Sequence, residues 1–567
     1  MIQLMNYSKL CFVVLFISSC IFSMDTTVVE QIEEEYVTIF KAANDAVRKG
    51  KFDEALEKYQ QVIALKPTLD RAYFNMSIAY IAKKDKDAAK SALRNAVKLN
   101  PSYTKARKQL AEILLDDGED EEALEHYHVL AKDMPEECDV RHAHAKLLCR
   151  QGDLEASFKE YLEALKLNKE DHTMMMECGN VLTLMNRFPE ALEYYERLLA
   201  LRPEDLNVTY NVAYTLKRLD RIDDAIQMYK KVIERRPDNG QAHFGLATAY
   251  LVKGDFVNGW AEYEWRWYQG NLRPRKFVQP MWDGKNLDGK VLYLHAEQGL
   301  GDSFQAIRCA QTAKERGAYI ILSVQKPLLD IISQCPYIDE IMEHGKMPTK
   351  FDVQAPLMSL PYILHYDEET ISQKVPYLYA SEERLEYWKD KFPTDTFNVG
   401  VCWQGNPNYS THFLRLAVAA KSFPPKMLAP LGKIKNVRFY SLQKDHANNV
   451  DETLPEGFIV HSFDEDFDNA HGRFMDTAAV MKSLDLVLTV DTSIAHLAGG
   501  LGVPVWVLLP QPADWRWLLD RDDTPWYPNM RLFRQTKPCE WEPVIDEICK
   551  ALELVVAEHQ NNKGVKQ

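Results

Sequence analysis

From about Ile39 the apolar positions recur at helical spacing, and the whole pattern repeats every 34 residues. Gly50, Gly118, Gly152 and Gly254 fall on multiples of that step, with Lys84, Asn186 and Asp220 at the intervening registers. Five residues after each stands a small residue: Ala55, Ala89, Ala123, Ser157, Ala191, Ala225 or Gly259. Four further on comes an aromatic or Leu: Tyr59, Leu93, Tyr127, Tyr161, Tyr195, Tyr229 or Tyr263. Pro67, Pro101, Pro135, Pro203 and Pro237 close five of the units. This spacing predicts pairs of antiparallel helices. The small residue lets two helices approach, the aromatic fills the gap, and Pro ends the second helix.

The pattern resembles the tetratricopeptide repeat, whose stacked units form a solenoid with a concave face for a peptide or protein. That resemblance places seven repeats in residues 36–272. His142, His144 and Tyr127 read as packing or surface residues, because nothing in a repeat unit suggests chemistry. The seventh unit lacks the closing Pro and runs into "GWAEYEWRWYQGNLRPRKFVQPMWDGKNLDGK". Trp260, Trp265, Trp267 and Trp282 read as packing that docks the repeats onto the C-terminal half of the chain. With no Gly/Ser tract there, a rigid junction is expected.

After Lys290 the grammar changes to short apolar runs alternating with helices. "VLYLHAE" and "AYIILSVQ" read as strands, with helices at "SFQAIRCAQTAKERG" and "KPLLDIISQCP". "FDVQAPLMSLPYIL" reads as less regular, and "VPYLYAS" as a crossover. A second series has strands "NVGVCWQG", "NVRFYSLQ", "LDLVLTV", "VPVWVLLP" and "MRLFRQ". Its helices are "PKMLAPLGKI", "MDTAAVMKSL", "SIAHLAGGLG" and the closing "WEPVIDEICKALELVVAEH". Such alternation predicts parallel sheets in two Rossmann-like halves, residues 273–380 and 381–558, with ligands at the carboxyl ends of strands. Residues 559–567 read as a disordered tail.

Three loops at strand ends carry candidate chemistry. In "EQGLGDS", Gly299 and Gly301 allow a tight turn and Asp302 lands at a helix start, where its plain reading is a cap. The third Gly of a dinucleotide fingerprint is missing, which argues against NAD. In "CWQGNPNYSTHFLRLAVAAKSFPP", Gly405 and Asn406 suit a turn open to a ligand. Lys421 there offers phosphate a cation, or is one ordinary Lys on a surface loop. Gln443 and Lys444 come after the next strand with the same ambiguity. In "VDTSIAHLAGG", Thr492 and Ser493 would occupy the first turn of a helix, whose free N–H groups favour an anion. His496 would share a side with Thr492; it reads equally as a core histidine or as part of a ligand site near Asp491. "PADWRWLLDRDDTPWYP" brings Asp514, Arg516, Arg521, Asp522 and Asp523 among three Trp, as a substrate lip or a brace back to the repeats.

Composition narrows these readings. A chain of 567 residues, 46% hydrophobic and 27% charged, holds two to four globular domains. The net charge of −15 argues against nucleic acid held by phosphate contacts and gives no basic face for anionic lipid. Ten Cys without a CxxC pair indicate neither a disulfide framework nor a zinc site. Residues 1–23 stand apart: Lys9 precedes "LCFVVLFISSCIF", suited to a signal segment or membrane anchor, with Cys20 in a loose lipobox. The alternative is a cytosolic start at Met24.

Taken together, "HAEQGLGDSFQAIRCA", "YSLQK", "DTAAVMKSLDLVLTVDTSIAHLAGGLGVPVWVLLP" and "DWRWLLDRDDTPWYPNMRLFRQ" resemble the family-nine, heptosyltransferase-like glycosyltransferases, over roughly Trp260 to Leu554. The resemblance implies a GT-B fold of two Rossmann-like halves, a nucleotide-sugar donor, inversion at the anomeric carbon, no metal and no cofactor beyond the donor. It makes Asp302 the general base for the acceptor hydroxyl. It makes Lys421 the cation offsetting leaving-group phosphate. Thr492, Ser493 and Ile494 would bind the diphosphate, Asp491 would contact the donor sugar, and His496 would support that loop. Gly299, Gly301, Gly405, Asn406 and Gln443 complete the expected donor site. Relatives carry "H-x-N-D…R-S-I-P-L" after the "GNP" turn; the altered loop "NYSTHFLRLAVAA" stands here instead, and Arg415 offers a second cation.

The reading is a glycosyltransferase whose repeats recruit a protein or glycan acceptor, or a partner protein. Its rival is a non-catalytic scaffold with a degenerate sugar-nucleotide domain. No GxSxG, HExxH or paired-carboxylate signature supports a hydrolase. Sugar nucleotides are cytoplasmic, which sits awkwardly with an export signal.

Overall fold

The computed structural model describes residues 26–269, 273–371, 374–408, 412–444, 454 and 457–564. The signal-like segment 1–23 lies outside the described residues. The chain divides into two compact units, Met1–Val181 and Leu182–Gln567. The division falls inside the repeats, within the helix His172–Leu184.

In the first unit, helices pair across each turn as the 34-residue pattern predicts, from Asp70–Ala82 with Lys86–Leu99 to Cys138–Gln151 with Leu154–Leu167. The second unit opens with helices of the same kind, Phe188–Leu201, Leu206–Arg218, Ile222–Arg235, Gly240–Val252 and Phe256–Tyr263. The repeated turn position has a physical reason. Gly50, Lys84, Gly118, Gly152, Asn186, Asp220 and Gly254 all take φ between 57° and 92°, the left-handed conformation that ends a helix. The small position is equally constrained: Ala55, Ala89, Ala123, Ala191 and Ala225 are fully buried. At Gly259 a Cβ would come within 2.6 Å of the Leu251 side chain.

Two parallel sheets complete the second unit. The first has β1 (Val291–His295), β2 (Tyr319–Val324), β3 (Glu340–Glu343) and β4 (Val353–Pro356), in the order β3-β2-β1-β4. The second has β5 (Phe397–Cys402), β6 (Val437–Ser441), β7 (Val460–His461), β8 (Leu486–Val490), β9 (Val505–Leu509) and β10 (Met530–Arg534). Its order, β10-β9-β8-β5-β6-β7, is the 3-2-1-4-5-6 arrangement of doubly wound sheets counted from β5. Its core packs Val399, Val401, Leu488, Val490 and Leu508 with Ile545, Ile548 and Leu552 of the helix Glu542–Gly564.

Several elements differ from the sequence reading. β3, β4 and β7 are strands that it left irregular or did not assign. β3 carries an acid at each end, and β4 ends in Pro356, so neither shows a clean apolar run. The helix expected at 303–317 is two, Leu300–Ala306 and Arg308–Glu315. "PKMLAPLGKI" is a 3₁₀ helix, Pro425–Lys433, with Pro430 inside it. The altered loop after the "GNP" turn contains a helix, His412–Lys421. At the end, the helix Glu542–Gly564 takes in residues 559–564 of the expected tail, and 565–567 lie outside the described residues; the His559 ring meets Phe397 edge-on at 5.3 Å, which holds that turn to the sheet.

Candidate functional site

Each sheet has one place where neighbouring strands send their connections opposite ways, and there the strand ends open a crevice. In the six-stranded sheet it lies between β5 and β8, paired Val401↔Leu488 and Cys402↔Thr489. Both strands are buried throughout, so their apolar residues fix where the next loops emerge. Those loops are "WQGN", with Gly405 and Asn406, and "DTS". In the four-stranded sheet the equivalent place lies between β1 and β4, and "AEQGLGD" comes directly after β1.

The helix Ser493–Leu501 starts on Thr492, whose hydroxyl accepts from the Ile494 N–H at 3.3 Å and lies 3.4 Å from the Thr489 hydroxyl. The Ile494 N–H is therefore already answered, and Ile494 itself is buried. Ser493 stays partly exposed at the first turn. Gly499 and Gly500 allow close packing, but against aromatics: a Cβ at Gly499 would collide with the Tyr527 ring, and one at Gly500 would meet Leu378 and Tyr377. Tyr527 then hydrogen-bonds His496 Nδ1 through its hydroxyl at 2.8 Å, while Trp517 stacks on the imidazole. Burial, with the Arg516 charge as the next cause, pushes His496 down to about 3.

The glycine loop after β1 meets this helix directly. A Cβ on Gly301 would lie 2.8 Å from His496 Cδ2 and 3.6 Å from Ser493 Cα. Asp302 caps its own helix, with Oδ2 accepting from the Gly299 N–H at 2.7 Å. Its other oxygen accepts from Arg516 Nη2. Arg516 is buried, and also donates to Gln305 Oε1 at 2.6 Å and Asp514 Oδ1 at 2.8 Å. Asp302 thus caps its own helix with one carboxylate oxygen and pairs with Arg516 through the other.

Lys421, at the end of the helix His412–Lys421, pairs with Asp491 at 2.7 Å. Burial lowers its amine, but Asp491 and then Asp514 outweigh that and hold it above the ordinary lysine range. Asp514, bonded to Arg516, therefore also faces Lys421, and its carboxyl is held low against burial by these two cations. Gly405 donates its N–H to Ser422 Oγ at 3.2 Å, and a Cβ there would sit 3.1 Å from Val418. Asn406 is exposed and its side chain caps the Asn408 N–H. Gln443 accepts from the Gln404 N–H at 3.2 Å and so braces the loop after β5.

The structure thus brings Asp302, Arg516, Asp514, Lys421, Asp491, Ser493 and His496 into one charged constellation around the strand ends. Arg516 and Asp514 bridge the two loops, a role hidden within the lip-or-brace segment. Trp515 and Trp526 of that segment do brace the repeats: both meet Trp260 edge-on, at 5.4 and 6.2 Å. Sequence reasoning missed Arg308 and Arg266. Arg308 lies at the break between two helices and donates to the Trp526 carbonyl at 2.8 Å and the Tyr377 hydroxyl at 3.0 Å. Arg266, fully buried, binds Glu264 at 2.7 Å, Ser359 Oγ at 2.7 Å and Glu297 at 2.9 Å. Burial raises Glu297 to about 7 despite that partner. The last repeat is thereby tied to the strand end that leads into the glycine loop.

Comparison with known proteins gives the repeats their family. Tetratricopeptide-repeat families match residues 43–84, 70–103, 109–236 and 210–264. Protein FlbA of Caulobacter vibrioides is 24% identical over 336 residues, covering 54% of this chain and 54% of that protein. The chain therefore spans about half the length of that curated relative. A TPR repeat-containing thioredoxin of Arabidopsis thaliana, TTL4, is 34% identical over 101 residues, 18% of this chain and 15% of that one. Among solved structures, YrrB, described as a TPR protein with an unusual peptide-binding site, covers 32% of this chain and 94% of its own. It aligns with 16% identity and a TM-score of 0.29. Tetratricopeptide repeats are therefore present within residues 43–264, and two parallel sheets lie after them.

Proposed function

We propose that the chain is a glycosyltransferase of GT-B architecture that moves a sugar from a nucleotide-sugar donor to an acceptor hydroxyl with inversion, its repeats recruiting a protein or glycan acceptor. The observation that carries this reading is the meeting of two strand-end loops, Gly301 against Ser493 and His496. It sets a carboxylate, Asp302, beside a helix start suited to an anion. The donor diphosphate would lie at Ser493, with Lys421 turning from Asp491 toward it as the sugar–phosphate bond breaks and charge builds on the leaving oxygen. The acceptor oxygen would form the new bond to the anomeric carbon on the opposite face, and its proton would pass to Asp302. Arg516 would position that carboxylate. Asp491, neutralised by Lys421 in the free chain, would be released to the donor sugar.

Thermal unfolding of the full chain against a panel of nucleotide sugars tests the donor site, since a ligand of the native state raises Tm. One nucleotide class should stabilise it, and Asp302→Asn should preserve that shift while lowering transfer by about 10²- to 10⁴-fold. If no nucleotide sugar shifts Tm, the sheets are a binding scaffold and the transferase reading fails.

A further inference from the structure

Beside the constellation, and sharing Asp514 and Arg516 with it, lies a cavity of about 450 Å³. One wall is the helices of the last repeats, with Lys217, Arg218 and Thr248; the other is the loop with Asp514 and Arg516, and Tyr263 contributes an aromatic surface. Three cations and two carboxylates line it. One of the cations stands without an ion pair among the described residues. Arg516 is answered by Asp302 and Asp514. Arg218 faces Asp220 electrostatically. Lys217 has only a hydroxyl, Thr248 Oγ1 at 2.6 Å, and no ion pair among the described residues. Burial lowers its amine to about 8, an effect that the Asp514 charge offsets only in part. Arg218 keeps a buried Nε with no acceptor and rests its guanidinium over Phe188 at 5.0 Å.

We infer that this cavity receives one acidic side chain of a polypeptide lying along the last repeats, its carboxylate held by Lys217 and Arg218. One cation without an ion pair matches a monoanionic carboxylate better than a dianionic phosphate. A desolvated cation with no ion-pair partner, next to a donor with no acceptor, is what a charge-assisted hydrogen bond from a ligand would satisfy. Because Asp514 and Arg516 line this cavity and also contact Lys421 and Asp302, the acid would sit near the acceptor hydroxyl in sequence. That last role rests on the transferase reading; the binding itself does not.

The test uses the full chain without any donor. Pooled short peptides, each with a fixed Ser and a scanned position occupied by Glu or Gln, are compared by fluorescence anisotropy. At one spacing the Glu pool should bind about tenfold tighter than its Gln twin. Lys217→Met should remove that difference, and Lys217→Arg should retain most of it. Equal binding of Glu and Gln pools by the wild type overturns the inference, as does discrimination that survives Lys217→Met. Phosphoserine at the scanned position binding tighter than Glu also overturns it, by making the ligand a phosphate. Loss of all peptide binding in both variants would mean the lysine supports the fold, and would overturn it too. Discrimination without sugar transfer would keep the site and sink only the transferase reading.

Discussion

Lys90 and Lys217 stand on opposite helices of their repeat units, Lys90 after the turn position and Lys217 before it, and end in opposite states. Lys90 is nearly buried among three carboxylates, Asp87 at 3.3 Å, Asp117 at 2.8 Å and Glu119 at 2.6 Å, and its amine is held well above the ordinary range, chiefly by Asp117. Lys217 meets a hydroxyl, and burial drives it down. Where a repeat surface is purely structural, the next unit supplies the counter-charge, as Asp117 and Glu119 do. At Lys217 the next unit supplies only the Thr248 hydroxyl, and Asp514 of the loop 510–516 offsets burial only in part. An unmatched cation on an otherwise regular scaffold marks where a ligand is expected to complete the charge balance.

Arg266 extends the matched side of that comparison into the interior, and gives the largest expected effect. Arg266→Met leaves Glu264 and Glu297 facing Ser359 without their cation, and should cost about 3–5 kcal/mol in chemical denaturation. A loss under about 1 kcal/mol would show that the network is solvated.

Thr248→Asp breaks the contrast from the other side, by giving Lys217 an internal partner. Discrimination between Glu and Gln peptides should then fall by about tenfold, to parity. Persistent discrimination would place the peptide carboxylate elsewhere.

The amines can be compared directly by pulsed acylation and mass spectrometry across pH. Lys217 should label with a midpoint near 8, while Lys90 stays unreactive there. The folded value for Lys217 lies below its ordinary 10.5. Between those values the unfolded chain binds the extra proton, so this group's contribution to stability rises with pH across the window, and its cost is fully present below about 8. A bound carboxylate should move the midpoint upward. The smallest effect belongs to Lys90→Met: its partners are solvated, so Tm should fall only slightly and peptide binding should be unchanged.

What was legible in the sequence divides along the same line. Turn, small and aromatic positions recur in every repeat because each solves a local problem, so a single chain displays the rule seven times. The strand-end loops were legible for a related reason: Gly299, Gly301 and Gly405 break apolar runs that need no other explanation. Pairings across long separations were not. Arg516 reaches Gln305 and Asp302 from 211 and 214 residues away, with no spacing to announce it. Lys217 was invisible for the same reason, since its singularity consists of partners it lacks. Lys421 and Asp491 were read as separate ligand groups, whereas the fold pairs them.

One turn has a wider consequence. Asp220 occupies the left-handed position that other units give to Gly, with φ 57°, and its carboxylate takes a hydrogen bond from the Gln511 side chain. The strained corner of a repeat is thereby made into a latch for the loop that ends in Arg516. Relaxing the backbone with glycine would quiet that corner and unfasten the loop in the same stroke, so local comfort and tertiary grip are set against each other in one residue.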